Sequence, residues 1–284
     1  MRNFVPILVS RGAVQLTGFI DSWIASWLPT GAVAALSNAQ LLYTLPVSLF
    51  GISISAAELP AMSGDALNTE GYAALRARID SALSRLAFFV VPSAVAFAAL
   101  GDVIAGALLQ HGRFEAVDAL YVWGILAGSS VGLLATTMAR LYSVAHYALG
   151  DTKRPLRFAL VRLVAVTTLG YLCAIVLPPK LAIPPQWGAV GLTASAGVAG
   201  WIEFALLRSS LNRRIGRTGL AASYTTRLWI AALAGAAVAW ALRLVLPPVD
   251  PFVRGAAVLP VFGAGFLGAA VLLGVPVPGL RRSL

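Results

Sequence analysis

Eight apolar runs, each long enough to cross a bilayer and separated by short polar or proline-bearing gaps, constrain this chain more than any other feature. They cover Val5–Leu28, Ala34–Met62, Leu83–Leu109, Val117–Leu149, Pro155–Leu177, Trp187–Leu211, Ser223–Leu246 and Phe252–Leu273. A membrane helix takes about 20 residues, so a chain of this length has room for about seven to nine crossings. Pro29-Thr30-Gly31, Pro178-Pro179, Pro184-Pro185 and Pro247-Pro248 read as helix stops, because proline lacks the amide donor and clashes with the preceding turn. Pro46, Pro92 and Pro260 fall inside runs and predict kinks, which lipid tolerates where neighbouring helices satisfy the freed carbonyls.

The charge distribution supports this division. Only 11% of residues are charged against 59% apolar, where a soluble domain carries about 25% charged residues. The net charge of +10 does not predict a nucleic-acid partner, because the cations sit in the gaps between apolar runs. Sixteen of the 21 Lys and Arg residues fall at one set of span ends, and three (Arg113, Lys180, Arg254) at the opposite set. Arg140 and Arg243 lie within spans. That bias predicts an even number of crossings with both termini cytoplasmic. Arg11 interrupts the first run, and no small-residue cleavage site precedes the later runs, so an ordinary signal peptide is not expected.

No phosphate-binding glycine loop, zinc-protease helix or nucleophile elbow is present, so the chain is expected to be neither an enzyme nor an ATP-driven pump, and to need no cofactor. The lone Cys173 allows neither an intrachain disulfide nor a cysteine metal cluster. His111 and His146 fall on opposite sides of the membrane, which argues against a shared metal. Gly124, Gly128 and Gly132 recur at helical spacing and predict a close helix–helix approach. The polar stretch Ser63–Ser81 reads either as a short amphipathic surface helix or as a solvated loop.

Ionisable groups inside spans are the remaining candidates for function, since a charge at a helix centre costs about 2.5–3.5 kcal/mol on insertion scales. Asp21 reads either as a cation, proton or cavity-lining group, or as a carboxylate bonded to a neighbouring helix. Gln15 precedes it, and Arg11 lies about three turns earlier on the same broad face. Arg140 either snorkels to the interface or points into a cavity, where its planar fork suits a phosphate. Glu203 is expected to pair with Arg208 or a basic loop, while Glu58 and Asp102 read as helix-boundary residues.

The stretch Gln15–Ser63 resembles the seventh and eighth helices of the MurJ/MviN proteins, the bacterial lipid II flippases of the multidrug/oligosaccharidyl-lipid/polysaccharide exporter superfamily. The matching pieces are Asp21-Ser22 with Ala25-Ser26, Pro29-Thr30-Gly31, Leu45-Pro46 with Leu49-Phe50-Gly51, and Leu59-Pro60 before Ser63. Gln110-His111-Gly112-Arg113-Phe114 is similar to the family's outer-loop Q-x-G-x-F. Tyr147, Gly150-Asp151-Thr152 and Pro155 are similar to its Tyr-x-x-x-Asp-Thr-x-x-Pro signature, and Gly188-Ala189-Val190-Gly191-Leu192 to its next glycine-rich helix start.

The resemblance implies an all-α membrane protein of eight transmembrane helices, corresponding to the second half of a fourteen-helix fold. Residues 1–217 would form the second six-helix lobe and residues 218–284 the C-terminal helix pair, with a first six-helix lobe supplied in the same or a separate chain. It further implies the bacterial inner membrane as location and lipid II, or a related undecaprenyl-linked glycan, as substrate alongside membrane lipids. Arg140 falls where the family carries a basic residue and, with Arg11, is a candidate headgroup-binding residue. Asp21, Ser195 and Gln15 are candidate cation or cavity-lining residues. The chain departs from the family at Gln40-Leu41, where an Asp-Arg pair is common, and at Val166 and Gly170, where asparagines are usual; the latter weakens the case for sodium coupling. The competing expectations are a degenerate half-transporter, a non-transporting scaffold, or a flippase for another polyprenyl-linked glycan.

Overall fold

A computed structural model of the chain describes residues 16–67, 72–110, 112, 114–247 and 249–278. These residues build an all-α, multi-pass membrane architecture, with no strand among them. The helices are α1 (residues 16–25), α2 (Ala32–Pro46), α3 (Ser53–Leu67), α4 (Ala73–Leu109), α5 (Ala116–Ala148), α6 (Lys153–Tyr171), α7 (Leu177–Lys180), α8 (Gly188–Ile215), α9 (Ala222–Val245) and α10 (Pro251–Leu272). Seven continuous helical stretches are long and apolar enough to cross a membrane. α1 is the described part of the first expected span.

Two of the spans are composite. α2 and α3 are joined by a π-helical turn, Val47–Ile52, that begins directly after Pro46. Proline removes one i→i−4 bond, and the wider turn absorbs the resulting mismatch without ending the span. α6 passes through a second π turn, Leu172–Val176, into α7, which carries Pro178 and Pro179 in its first turn and ends only at Lys180. The Pro178-Pro179 pair therefore sits in the last turn of a continuous stretch, Lys153–Lys180, that ends one residue beyond it, as expected of a helix stop.

Ser63–Ser81 is neither of the two structures expected. α3 runs on to Leu67 and α4 begins at Ala73, so residues 63–67 and 73–81 are the membrane-proximal continuations of two spanning helices. Their charges hold the pair together: Glu58 is 7% exposed and bonds to Arg85, and Arg78 pairs with Asp65 at 2.6 Å and with Glu58 at 3.7 Å. Glu58 is thus one partner in an inter-helix ion network, where a solvated boundary residue was expected.

α4 forms the centre of the bundle, burying Leu75, Ile79, Leu86, Val90, Val91 and Leu100 completely. α5 packs on α8 through the expected glycine seam. A Cβ at Gly132 would overlap the Cα of Gly197, and one at Gly128 would lie 2.6 Å from the carbonyl oxygen of Val190. The two backbones approach as closely as small residues permit. α9 and α10 form a hairpin on α4, in which Gly255 of α10 seats against Ala107. Outward-facing Val164, Leu244, Val245 and Leu272 are 66–89% exposed. An apolar exterior of that extent has lipid as its solvent.

Candidate functional site

Asp21 of α1, Ser195 and Glu203 of α8 and Arg162 of α6 are polar groups held largely out of solvent within the helices. Asp21 is 8% exposed and shares one face of α1 with buried Ile24 and Ala25, at the i+3 and i+4 positions. Ile24 reaches the α6–α8 junction at Gly170, where a Cβ would lie 3.6 Å from Ile24 Cδ1, 2.9 Å from Leu192 Cδ1 and 3.8 Å from Ser195 Oγ. Ile24, one turn beyond Asp21, and Ser195 therefore border the same three-helix junction. Ser195 is 4% exposed, and its hydroxyl donates to the Leu192 carbonyl at 2.7 Å. The Oδ1 atom of Asp21 is buried without a hydrogen-bond partner among the described residues. Among the described residues, the Arg162 guanidinium is a compensating charge within electrostatic reach of Asp21.

Arg162 links the junction to a second group of side chains. It lies nine residues into α6, about 13 Å along the helix axis, and its Nη1 donates to Glu203 Oε2 at 2.9 Å. Glu203 is 8% exposed, so the pair is held largely out of water. By sequence Arg162 belongs with the basic span ends, and Glu203 is expected to meet Arg208 or a basic loop. The structure corrects both, since Arg208 instead donates to the Thr218 carbonyl at 3.1 Å. Tyr43 of α2 lies beside Thr136 of α5 and within electrostatic reach of both Arg140 and Arg162. Arg140, half-buried about 12 Å before the end of α5, thus faces the same region as Tyr43 and Arg162.

Tyr43, Thr136 and Arg162 were missed from sequence. Only Arg162 carried a signal, its depth within an apolar run. Arg11 and Gln15 lie outside the described residues, as does His111. The departures have structural counterparts: Gln40 and Leu41 are exposed on α2, Val166 is fully buried, and Gly170 is closed in by Leu192. No group of three His, Cys, Asp or Glu side chains at metal-binding distance occurs among the described residues. His146 is fully buried, with Nε2 3.3 Å from the Leu207 carbonyl and Nδ1 3.9 Å from Asp151.

A second intramembrane pair lies away from this site. Arg243 of α9 makes two bonds to Asp102 of α4, Nη2 to Oδ2 at 2.7 Å and Nη1 to Oδ1 at 3.1 Å. Its guanidinium also sits 5.3 Å from the Trp240 ring, while Trp240 Nε1 donates to the Ala99 carbonyl at 3.1 Å. Asp102 is accordingly one half of a bidentate staple, and not the water-satisfied boundary residue expected.

Comparison with known proteins gives this geometry a context. The family model described as lipid II flippase MurJ matches residues 1–254. The probable lipid II flippase MurJ of Bdellovibrio bacteriovorus is 30% identical over 213 residues, covering 75% of this chain and 39% of that relative. The corresponding protein of Rhizobium meliloti is 30% identical over 246 residues, covering 85% and 43%. The solved structure titled lipid II flippase MurJ, inward closed conformation, superposes with a TM-score of 0.75 at 20% identity, covering 95% of this chain and 52% of that one. That likeness establishes the fold. The chain spans less than half the length of these curated relatives. On the family match over most of its residues, the chain belongs to the MurJ lipid II flippase family.

Proposed function

We propose that the chain supplies the second lobe and the C-terminal helix pair of a lipid II flippase, residues 1–217 and 218–284 respectively, and acts with a first six-helix lobe carried in the same or a separate chain. Its basic span ends face the cytoplasm, both termini lie on that side, and the membrane is the bacterial inner membrane. The work is transport and not covalent chemistry. A polyprenyl-linked headgroup carries phosphate charge through the bilayer core, and that charge needs a cation already stationed there. Arg140 is that cation on this lobe, with Arg11 as a second. Arg162 is neutralised by Glu203 and serves as a fixed neighbour, which leaves Arg140 as the cation offered to the headgroup. Asp21, Ser195 and Gln15 line the adjoining junction, where a buried carboxylate offers a place for a proton or cation that moves with the cycle. Two lobes rocking about such a cavity would open it alternately to each leaflet.

The observation that carries this reading is the placement of Arg140 well inside α5, about 12 Å from its end, with the buried Arg162–Glu203 pair and Tyr43 of the packed α2 within its electrostatic reach. The exposed Gln40-Leu41 on α2 favours a second reading, a non-transporting half-transporter or scaffold, since that position lacks the family's Asp-Arg pair. Reconstitution of the chain in lipid II-loaded vesicles, with and without a co-expressed first lobe, separates the two. Translocation that appears only with both lobes supports transport, and its absence under both conditions supports the scaffold.

A further inference from the structure

The motif formed by Tyr147, Gly150-Asp151-Thr152 and Pro155 has no part in the transport site proposed above. At the end of α5, Gly150 adopts a left-handed conformation (φ 72°) that lets the Asp151 amide reach back to the His146 carbonyl at 2.9 Å. This closes the helix and turns the chain at once into α6. The first turns of α6 then carry Lys153, Arg154 and Arg157, and the last turn of α8 brings Arg213 and Arg214 opposite them. Between the two elements lies a cavity of about 1110 Å³ rimmed by these five cations.

Two of the cations are committed to holding the wall. Arg154 pairs with Asp151 at 3.2 Å, and Arg214 donates to the Leu149 carbonyl at 3.4 Å. Asp151 is the one carboxylate lining the cavity, and its Oδ1 also accepts from the Arg154 amide at 3.2 Å. Lys153, Arg157 and Arg213 are exposed and have no ion pair among the described residues. The floor is apolar, made by Leu149, Phe158 and Leu206. Arg157 shares a helix face with Val161 and Val164, which are 45% and 66% exposed, so an apolar strip leads from the cavity along α6 into the membrane.

We propose that this cavity binds the phosphate headgroup of an anionic phospholipid of the basic leaflet, through Lys153, Arg157 and Arg213, with an acyl chain laid along the exposed face of α6. A free phosphate has no use for the apolar floor or the strip beyond it; a phospholipid matches both. Paired basic side chains at the headgroup level are the physical means by which membrane helices select anionic lipids. The bound lipid bridges the start of α6 to the end of α8. It is a site separate from the one proposed for transport, and its readout does not depend on translocation.

The test titrates phosphatidylglycerol into the full chain held in phosphatidylcholine nanodiscs and counts retained lipid by native mass spectrometry. A basic residue near an anionic headgroup is worth about fivefold in affinity, so Arg157→Gln with Arg213→Gln should weaken retention by roughly 25-fold. Arg217→Gln with Arg227→Gln, which removes the same charge from exposed positions on the same side, should leave it unchanged. Arg157→Lys with Arg213→Lys should restore most binding, which separates loss of charge from loss of folding. Equal losses in the two glutamine pairs would overturn the site in favour of diffuse surface charge, and no loss in either would overturn it outright. Displacement of the lipid by glycerol 3-phosphate at matched concentration would overturn the lipid as occupant and leave a free phosphate.

Discussion

Arg243→Ala should loosen the C-terminal hairpin from the rest of the bundle by an amount the structure allows one to work out. The guanidinium makes two bonds to Asp102, at 2.7 Å and 3.1 Å, and the two side chains are 24% and 21% exposed. Removing one partner of a fully buried pair costs about 3–5 kcal/mol, because the other charge is left unsatisfied in a low-dielectric medium. Arg243 lies two residues before the end of α9, so water and headgroups relieve part of that penalty. The expected loss is therefore about 2–3 kcal/mol, including the stacking of the cation on Trp240. The assay is reversible unfolding in mixed micelles by SDS titration, run as a cycle with Asp102→Ala and the double variant. The double variant should lose less than the sum of the singles by about 1.5 kcal/mol or more, and Asp102→Leu with Arg243→Leu should recover most of the stability. Singles within about 0.5 kcal/mol of the parent, with additive effects, would refute the staple.

Gly132→Ala places a methyl group against the Gly197 backbone and should destabilise the α5–α8 seam by about 1–3 kcal/mol in the same unfolding assay. Gly263→Ala, which meets nothing within 4 Å, should be neutral or slightly stabilising. Glu203→Ala leaves the Arg162 guanidinium without its acceptor at membrane depth and should cost about 2–4 kcal/mol. Arg162→Leu added to it should return much of that loss, and a double variant no better than the single would contradict the pairing.

The number and order of the spans were legible because lipid permits only one solution to the backbone hydrogen-bond problem, a long apolar helix, and that solution is written in consecutive residues. The glycine seam on α5 was legible for a similar reason, since small residues at helical spacing announce close approach within one segment. What sequence could not reveal depends on how separate helices are rotated against each other. Asp102 and Arg243 are 141 residues apart, and Arg162 and Glu203 are 41 apart. Asp102 and Arg162 looked like boundary charges, Arg243 like a lone charge within a span and Glu203 like a partner of Arg208, until packing placed each opposite its partner. Ser63–Ser81 was misjudged because its polarity signals departure from lipid, which is correct, whereas helix continuation there depends on ion pairs between α3 and α4. The same limit applies to the candidate site: Asp21 and Arg140 stood out as charges in apolar runs, while Tyr43 and Thr136 became visible only through the convergence of α2 on α5.

A cation on this lobe that holds an anionic headgroup inside the membrane is the core of the proposed function. Its most direct measurement is the rate of lipid II translocation by vesicles containing the chain together with a first lobe, compared between the parent, Arg140→Ala and Arg140→Lys. Loss of one charge-assisted contact of about 1.5–3 kcal/mol predicts a fall of roughly 10- to 100-fold for alanine, with partial recovery for lysine. Translocation by the alanine variant at the parental rate, in protein that inserts and unfolds like the parent, would contradict the account.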